Sequence, residues 1–423
     1  MIKTDCIRMA MMSAAAAGAL SQHAHAQNAP AQGASVSDRT QSEYRQEPLK
    51  LGSLDIFPSI QLDAEYSDNI FAAPTAPVDD VVFSLAPSLI VREQRPDRDL
   101  FLQAKIGVET YASGTIDDQF LGSLEGRLRL RQGRLTRPYV SFGVARNSTR
   151  GRDAVDDFLF IAQPIAITSY RSGIGLERDF GPFTLDMEGR AARTQFDGDI
   201  LFDNQLLDVG FRDFENYVGR AQLSYSQSPN QRVFVSFEAN SQNFSAPSQN
   251  LALPDFLRLD RSSDGYRAEI GLARQVTDLL MIDARVGYLK QSFDDPTLRS
   301  ASGLSLQASA TYNPTPLTTI KATAVRAIDT TSNPLSAGLV RTEAFVRIDH
   351  ELLRNLIVTA TGRVARFDQS GIGADATEWT AALEARYLLS RRWVVTGRLE
   401  HFEREGLFAF NQNRFKVSLR YRF

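Results

Sequence analysis

The sequence predicts an all-β fold, a transmembrane antiparallel up-and-down β-barrel of about 18 strands, within a range of 16 to 18. Segments in which apolar and polar residues strictly alternate recur from Leu54 to Phe423. Short turns and longer polar loops alternate between these segments, and the chain begins with a secretory signal. Bacterial outer-membrane barrels combine these features, because their strands place lipid-facing and lumen-facing residues in turn.

The start of the chain has the organisation of a signal peptide. Lys3 and Arg8 supply the basic part, residues 9–20 are apolar, and Ala24-His25-Ala26 is a small-x-small cleavage site. The apolar stretch is too short to span a bilayer as a helix. The sequence therefore predicts a signal peptide over residues 1–26 and an exported mature chain.

Composition narrows the class of protein. Cys6, the only cysteine, lies in the predicted signal peptide, so the mature chain is expected to have no disulfide. Removal of Lys3, Arg8 and Asp5 leaves 45 of the 47 basic and 49 of the 50 acidic residues, a net charge of −4. This balance favours neither nucleic acid nor a strongly acidic partner.

The mature chain is predicted to contain a leader and one barrel. Residues 27–50 are polar and rich in Ala, Gln and Ser, which predicts a flexible periplasmic leader. Residues 51–423 are predicted to form the outer-membrane barrel. Its mean hydropathy gives little sign of a membrane, because barrel strands carry apolar residues only at alternate positions.

The alternation identifies each strand. Ile60, Leu62, Ala64 and Tyr66 alternate with polar residues, a period that an amphipathic helix does not show. The other segments with this period lie at 83–91, 100–111, 124–130, 140–144, 170–176, 183–191, 217–225, 233–239, 266–272, 280–288, 304–312, 320–324, 340–348, 356–364, 379–387, 393–399 and 415–423.

Connections of two lengths join these segments. Short turns are predicted near 179–182, 228–230, 275–278, 313–316, 353–355 and 390–392, and longer loops near 67–80, 146–163, 195–212, 245–262, 291–301 and 328–338. Outer-membrane barrels have short periplasmic turns and longer outer loops. Both termini are therefore predicted to be periplasmic. Tyrosines near the strand ends predict an aromatic girdle at each interface, whereas in a soluble β-sandwich they would form cross-strand pairs.

The last strand predicts an assembly signal formed by Tyr421 and Phe423. Its apolar positions run out to these two residues, while Lys416, Ser418 and Arg420 take the polar positions. An unpaired strand edge with this many apolar residues is an aggregation hazard in water, whereas in a barrel the last strand pairs with the first. The alternative is an ordinary terminal strand of a soluble domain.

Alternation also assigns an inner face. The charged residues predicted to line a pore are Lys105, Glu109, Glu125, Arg127, Arg129, Arg190, Arg220, Glu238, Arg267, Glu269, Arg285, Arg341, Glu343, Arg363, Glu384, Arg386, Arg398 and Glu400. Both signs are interspersed, which suits a hydrated interior. The alternative is a lattice of wall ion pairs with no role in transport. Few aromatic residues besides Tyr139, Phe234 and Phe345 face inward, so no sugar-stacking track is predicted.

The sequence predicts no catalytic residues, and we expect no enzyme activity. His350 and His401 are the histidines outside the predicted signal peptide. Alternation places both on the lipid side, where neither is well placed to activate a serine nucleophile.

No metal or cofactor site is predicted either. The acidic loop runs Asp153, Asp156, Asp157 and Asp197, Asp199, Asp203 are alternative calcium ligands, but neither run has the spacing of an EF-hand. Residues 371–373 lack the third glycine and the strand-to-helix setting of a dinucleotide-binding motif.

The first hairpin carries a resemblance to a known family. Pro58, Tyr66-Ser67-Asp68-Asn69-Ile70-Phe71, Asp79-Asp80-Val81 and Leu85-Ala86-Pro87 are similar to the start of members of the outer-membrane β-barrel porin 2 family. Members are often encoded with genes for the synthesis and export of surface or capsular polysaccharide. The resemblance implies an outer-membrane barrel with a role in polysaccharide export, and it brings no catalytic residues.

Together these features predict a polar conduit in a Gram-negative outer membrane, associated with polysaccharide export. The expected partners are outer-membrane lipid and lipopolysaccharide, the barrel assembly machinery, and polysaccharide with its periplasmic export components. Two alternatives stay open: a structural or docking barrel with an occluded lumen, and a barrel-embedded hydrolase. Conductance tests the first alternative, and turnover of lipid or sugar would reveal the second.

Overall fold

The computed structural model describes residues 35–37, 39, 41–133, 135–149, 164–202, 205–245, 259–329, 336–371, 375–406 and 409–423. Within these ranges no helix is long and apolar enough to cross a membrane. Among the same described residues two short 3₁₀ turns occur, at Ser42–Tyr44 and Val209–Arg212. Everything else that is regular is β-strand.

The strands follow the predicted segments and extend most of them at both ends. They are β1 (Leu49–Leu51), β2 (Leu54–Ser67), β3 (Asp80–Gln94), β4 (Arg98–Tyr111), β5 (Gln119–Leu130), β6 (Thr136–Thr149), β7 (Ile165–Phe180), β8 (Phe183–Asp197), β9 (Asp199–Phe202), β10 (Gln205–Asp208), β11 (Phe214–Ser228), β12 (Gln231–Phe244), β13 (Ser263–Gln275), β14 (Leu280–Phe293), β15 (Ala301–Thr315), β16 (Thr318–Asp329), β17 (Ser336–Leu353), β18 (Leu356–Gly371), β19 (Ala376–Leu388), β20 (Trp393–Gly406) and β21 (Phe410–Arg422).

Eighteen of these strands, β2–β8 and β11–β21, form a closed antiparallel barrel. Each strand pairs with its neighbours in sequence, β8 pairs with β11, and β21 pairs back with β2. In this last pairing, which we call the seam, Ile60 lies opposite Tyr421 and Tyr66 opposite Phe415. Closure leaves no free edge in the ring. The predicted fold class and strand number are confirmed.

The two faces of the sheet differ as the alternation requires. In β5, Leu124 on the outer face is 47% exposed, whereas Arg129 on the inner face is 8% exposed. In β21, Phe415, Val417 and Leu419 are exposed on the outer face. An outer surface of large apolar side chains is the surface that lipid covers.

The two ends of the barrel differ in their connections. The end that we call the short-turn end carries the connections at 95–97, 131–135, 181–182, 229–230, 276–279, 316–317, 354–355 and 389–392, together with the start of β2 and the end of β21. The opposite, long-loop end carries the connections after β2, β4, β6, β8, β12, β14, β16, β18 and β20. That the short-turn end faces the periplasm stays a prediction.

Aromatic side chains pack against one another on the outer surface near both ends. At the short-turn end the Tyr421 ring lies 4.7 Å from Trp393 and 4.9 Å from Phe423 between centroids. At the long-loop end the rings of Tyr266 and Tyr288 are 6.4 Å apart. These positions suit the two interfaces of a bilayer, where amphipathic rings are favoured.

Candidate functional site

The candidate functional site is the inner wall of the barrel. All of the charged residues predicted to line a pore lie on the inner face of their strands, at positions that alternate with exposed apolar residues. That these residues line a water-filled passage stays a prediction, whereas their common face follows from the strand register. His350 and His401 are exposed on the outer face, bonded to Thr318 and Asn413.

Ion pairs connect neighbouring strands along this wall. The guanidinium of Arg363 lies 2.8 Å from carboxylate oxygens of both Glu343 and Glu378, so it joins β17, β18 and β19. Elsewhere in the ring, Glu238 pairs with Arg190 at 3.4 Å and with Arg267 at 3.1 Å. These pairs join strands that are adjacent or next but one. The side chains therefore extend along the wall.

Two aromatic side chains lie flat on the wall because a glycine faces them on the next strand. A Cβ atom added at Gly175 would overlap the ring of Tyr139, and one added at Gly271 would overlap the ring of Phe234. The guanidinium of Arg127 lies 4.4 Å from the Tyr139 ring centroid. Glycine thus lets a large ring pack against the backbone instead of projecting into the lumen.

The same packing removes these rings as sugar-binding surfaces. Tyr139 and Phe234 are only 7% and 3% exposed, so neither presents a free face for stacking. The prediction that few other aromatic residues face inward is wrong, because the strand register places eight further phenylalanines on the inner face: Phe57, Phe101, Phe196, Phe214, Phe244, Phe367, Phe402 and Phe410.

Part of the wall is open to solvent. Glu125 and Arg171 lie opposite each other across Gly143 in the register of β5, β6 and β7, and both side chains are exposed although they face inward. The exposure of both inward side chains means that the lumen has free space beside them at this level. Glu125 and Arg171 attract each other there.

The leader residues that the structure describes follow the inner rim of the short-turn end. Residues 49–51 pair with the start of β2. Further towards the amino terminus, Gln46 donates a hydrogen bond to the carbonyl of Pro58 at 2.9 Å, and Gln41 donates to Glu351 at 2.7 Å. The chain therefore crosses the ends of β21 to β17 as an arc.

The arc ends inside the barrel. Val36 is fully buried, and its backbone N–H donates to the hydroxyl of Thr319 at 3.0 Å. The Ser37 hydroxyl donates to Asp349 at 3.1 Å. Of the two possibilities for the leader, lying in the lumen or hanging below it, these contacts favour the first. Residues 27–34 lie outside the described residues, and the predicted domain boundaries stay predictions.

The resemblance-bearing residues of the first loop fasten the seam at the long-loop end. Asp68 accepts hydrogen bonds from the backbone and side chain of Asn413 at 2.7 and 2.6 Å. The Asn69 amide donates to the carbonyl of Asn411 at 3.0 Å, and Gln412 donates to the Ser67 hydroxyl at 3.0 Å. We call these contacts the clasp. Beside it, Ile70 packs against a small buried cluster of Val82, Tyr111 and Ile116.

Two buried arginines lie at the long-loop end. The guanidinium of Arg212 is 4.2 Å from the Phe196 ring centroid, and that of Arg261 is 4.3 Å from Phe244. Burial, and secondarily the charge of Arg212, lowers the pKa of Arg261 to about 9. Arg261 is still a cation at neutral pH. No local pattern in the sequence predicts this pair, because its members come from separate loops.

Within the described ranges, no group of three or more His, Cys, Asp or Glu residues is placed to hold a metal ion. Of the acidic loop runs, Asp153, Asp156, Asp157 and Asp203 lie outside the described residues. Asp197 pairs instead with Arg146 at 3.2 Å.

The ring of strands, its apolar outer surface and its charged inner wall define an outer-membrane β-barrel protein. The sequence matches the family described as "Putative beta-barrel porin 2" over residues 42–423, so the chain belongs to this family and is a porin-like protein of the outer membrane. The resemblance at the first hairpin is confirmed. No curated protein matches the sequence.

Solved structures with a similar fold include three outer-membrane barrels. The siderophore receptor PirA from Acinetobacter baumannii has 8% identity and a TM-score of 0.46, covering 86% of this chain and 80% of its own. The FrpB iron transporter from Neisseria meningitidis has 10% identity and a TM-score of 0.47, with coverages of 83% and 62%. OpdL from Pseudomonas aeruginosa has 13% identity and a TM-score of 0.46, with coverages of 88% and 99%. These similarities concern the fold and carry nothing about cargo.

Proposed function

We propose that the barrel is a passive, water-filled conduit that carries surface polysaccharide across the outer membrane. The arrangement of the inner wall supports a conduit, because ion pairs such as Arg363 with Glu343 run along the wall and the rings of Tyr139 and Phe234 lie flat against it. Barrels of about 16 to 18 strands are wide enough for an aqueous channel when their side chains leave the centre free.

Conductance in planar bilayers tests the conduit. We expect stepwise currents from the purified protein, and larger ones from a variant that lacks residues 27–47, because the leader lies at the short-turn mouth. A barrel that stays electrically silent with and without its leader would exclude the conduit. Heat-modifiable migration on gels serves as the control that each protein is folded.

An occluded docking barrel is the second candidate, and the burial of Val36 is the observation that favours it. In that case the leader would be a permanent part of the lumen rather than a removable obstruction. A silent full-length barrel that conducts after leader deletion would show that the leader obstructs the passage. The occluded barrel would then be one state of the conduit.

Polysaccharide as the cargo rests on the family resemblance, since the charged inner wall by itself specifies no cargo. Deletion of the gene should reduce polysaccharide at the cell surface and leave it in the periplasm, and the wild-type barrel should restore export. Unchanged surface polysaccharide would refute this cargo. We propose no catalytic role; release of sugar or fatty acid by the purified barrel would contradict that view.

A further inference from the structure

We propose that arginines at the short-turn mouth form a binding site for a carboxylate-bearing polysaccharide, and that the leader occupies this site when the polysaccharide is absent. The proposal rests on the conduit function and specifies its substrate class as a polyanion. The observation that supports it is that two of these arginines donate hydrogen bonds to neutral backbone carbonyls of the leader.

The core of the site is a group of arginines on β19 and β21. Arg386, Arg420 and Arg422 face inward near the ends of their strands and are close enough to repel one another. Arg347 of β17 also repels Arg386. Like charges gathered in this way disfavour each other unless an anion is present.

The carboxylates that face this group already have partners. Asp349 lies 2.8 Å from Arg347 and accepts a hydrogen bond from Thr359 at 2.7 Å. Glu384 pairs with Arg398 at 3.5 Å and also attracts Arg386, so its single charge is shared between two arginines. The positive charge of Arg386 and Arg422 is therefore left in excess on this side of the mouth.

The leader presents neutral acceptors to these two arginines. Arg386 donates to the backbone carbonyl of Ser37 at 3.2 Å, and Arg422 donates to that of Tyr44 at 3.3 Å. The buried Nε of Arg386 has no hydrogen-bond acceptor among the described residues. Hydrogen bonds from arginine to carboxylate are roughly twice as strong as bonds between neutral groups. A carboxylate would therefore satisfy these donors better than the leader does.

Further cations extend the site along the rim. Arg92 of β3 faces inward, is exposed, and lies close enough to Arg45 of the leader for repulsion. Its guanidinium lies 5.9 Å from the Phe57 ring centroid and 5.8 Å from that of Phe101. Positive groups thus follow the mouth from β19 across β21 to β3. Such a row fits a polymer with repeated charges, because each further contact becomes intramolecular once the first has formed.

The leader is held in a way that permits displacement. Several of its remaining contacts are ion pairs in solvent, among them Glu43 with Arg354 and Glu47 with Arg391. Exposed pairs of this kind contribute little. A polyanion that engages Arg386 and Arg422 would replace the bonds of these arginines to Ser37 and Tyr44. The leader then keeps its exposed ion pairs and the buried contacts of Val36 and Ser37, so the polyanion must compete with those two buried contacts as well.

A spin label on the leader tests the proposal. Ser42 is exposed, and the only cysteine lies in the predicted signal peptide, so Ser42→Cys provides a single labelling site. Polygalacturonate should increase the mobility of a nitroxide at this position, and neutral dextran of similar length should not. Monomeric galacturonate should require at least a hundredfold higher concentration of sugar units. Equal release by dextran, or no release by polygalacturonate, would overturn the proposal.

Binding measurements with matched variants test the arginines themselves. The barrel that lacks residues 27–47 should bind polygalacturonate at least tenfold more tightly than the full chain, because its competitor is gone. Adding Arg386→Gln and Arg422→Gln should weaken this binding at least tenfold. Arg178→Gln and Arg274→Gln, which remove the same charge from exposed outer positions near the same end, should not.

These outcomes separate the proposal from the conduit function. If the arginine variant does not fold, the polygalacturonate affinities of the full chain and of the leader deletion still test the proposal. Equal affinities of these two proteins would contradict it. If the barrel conducts but polygalacturonate does not change the mobility of the leader label, the anion site is excluded and the conduit is not. A barrel that binds polygalacturonate but never conducts excludes the conduit.

Discussion

At the level of single residues, the direction of a side chain decides what a substitution costs in this barrel. Adjacent residues of one strand face lipid and lumen in turn, so a charge is costly at one position and tolerable at the next. Val358 and Thr359 illustrate this, since the first lies on the outer face and the second is buried on the inner face beside Asp349.

Arginine substitutions test these directions. Arginine at Leu128, Val358 or Ala385, on the outer face, should lower the free energy of unfolding by about 2 to 4 kcal/mol near the midplane. Arginine at Thr359 or Ala382, on the inner face, should cost less. Urea titrations of the protein folded in lipid vesicles provide the measurement. If the two sets of variants lose equal free energy of unfolding, the assigned strand register is wrong by one residue.

The facing of residues was predictable from the sequence, but their partners were not. Arg363 is assigned to the inner face by the alternation alone, because a period of two needs no knowledge of the neighbouring strands. Its bridge between Glu343 and Glu378 depends on the stagger between three strands. The hydrogen bond from Val36 to Thr319 joins residues 283 positions apart and leaves no local signal.

At the level of elements, the strands were predicted better than the segments that link or precede them. Each alternating segment lies in a strand of the structure. A barrel strand has one face towards lipid and one towards the lumen, and this requires apolar and polar residues in turn. The polar leader has no such pattern. Its composition predicts flexibility, and the contacts of Ser37 and Gln41 with the barrel come from acceptors that the folded ring supplies.

The clasp yields a prediction about the first loop. Asp68→Ala removes the acceptor for both the backbone and the side chain of Asn413, and should destabilise the barrel by about 1 to 3 kcal/mol. Proteolysis of the loop at 68–79 should become faster. Because Asn413→Ala breaks part of the same contact, the double variant should cost less than both single variants together. Additive costs would argue against the clasp.

The terminal strand yields a prediction about assembly. Tyr421 packs against Trp393 and edge-to-face against Phe423, and the Phe423 N–H donates to the Pro58 carbonyl across the seam at 3.2 Å. Replacing Tyr421 and Phe423 by Asp should therefore cause accumulation in the periplasm and degradation. The measurement is heat-modifiable migration of outer-membrane fractions. Normal folding of the double variant would refute an assembly role for these two residues.

At the level of the whole molecule, the charges of the inner wall together set the electric field in the lumen. Charges on a wall of low dielectric constant concentrate field lines in the lumen. Arg127→Glu with Arg129→Glu should shift selectivity towards cations, measured as the reversal potential in a salt gradient. Arg178→Glu with Arg274→Glu makes the same change of charge on the outer face and should leave the potential unchanged. A shift of equal size in both variants would mean that the inner charges have no special role.

The seam is held at both of its ends, and this has a kinetic consequence. At one end the clasp joins the first loop to Asn411 and Asn413, and at the other the leader contacts both Arg422 of β21 and Pro58 of β2. Unzipping of the ring from either end of the seam must first break one of these attachments. Most of the stability that these attachments supply should therefore appear as a higher barrier to unfolding, and the lifetime of the closed ring should lengthen. Removing both attachments should speed unfolding more than it slows refolding.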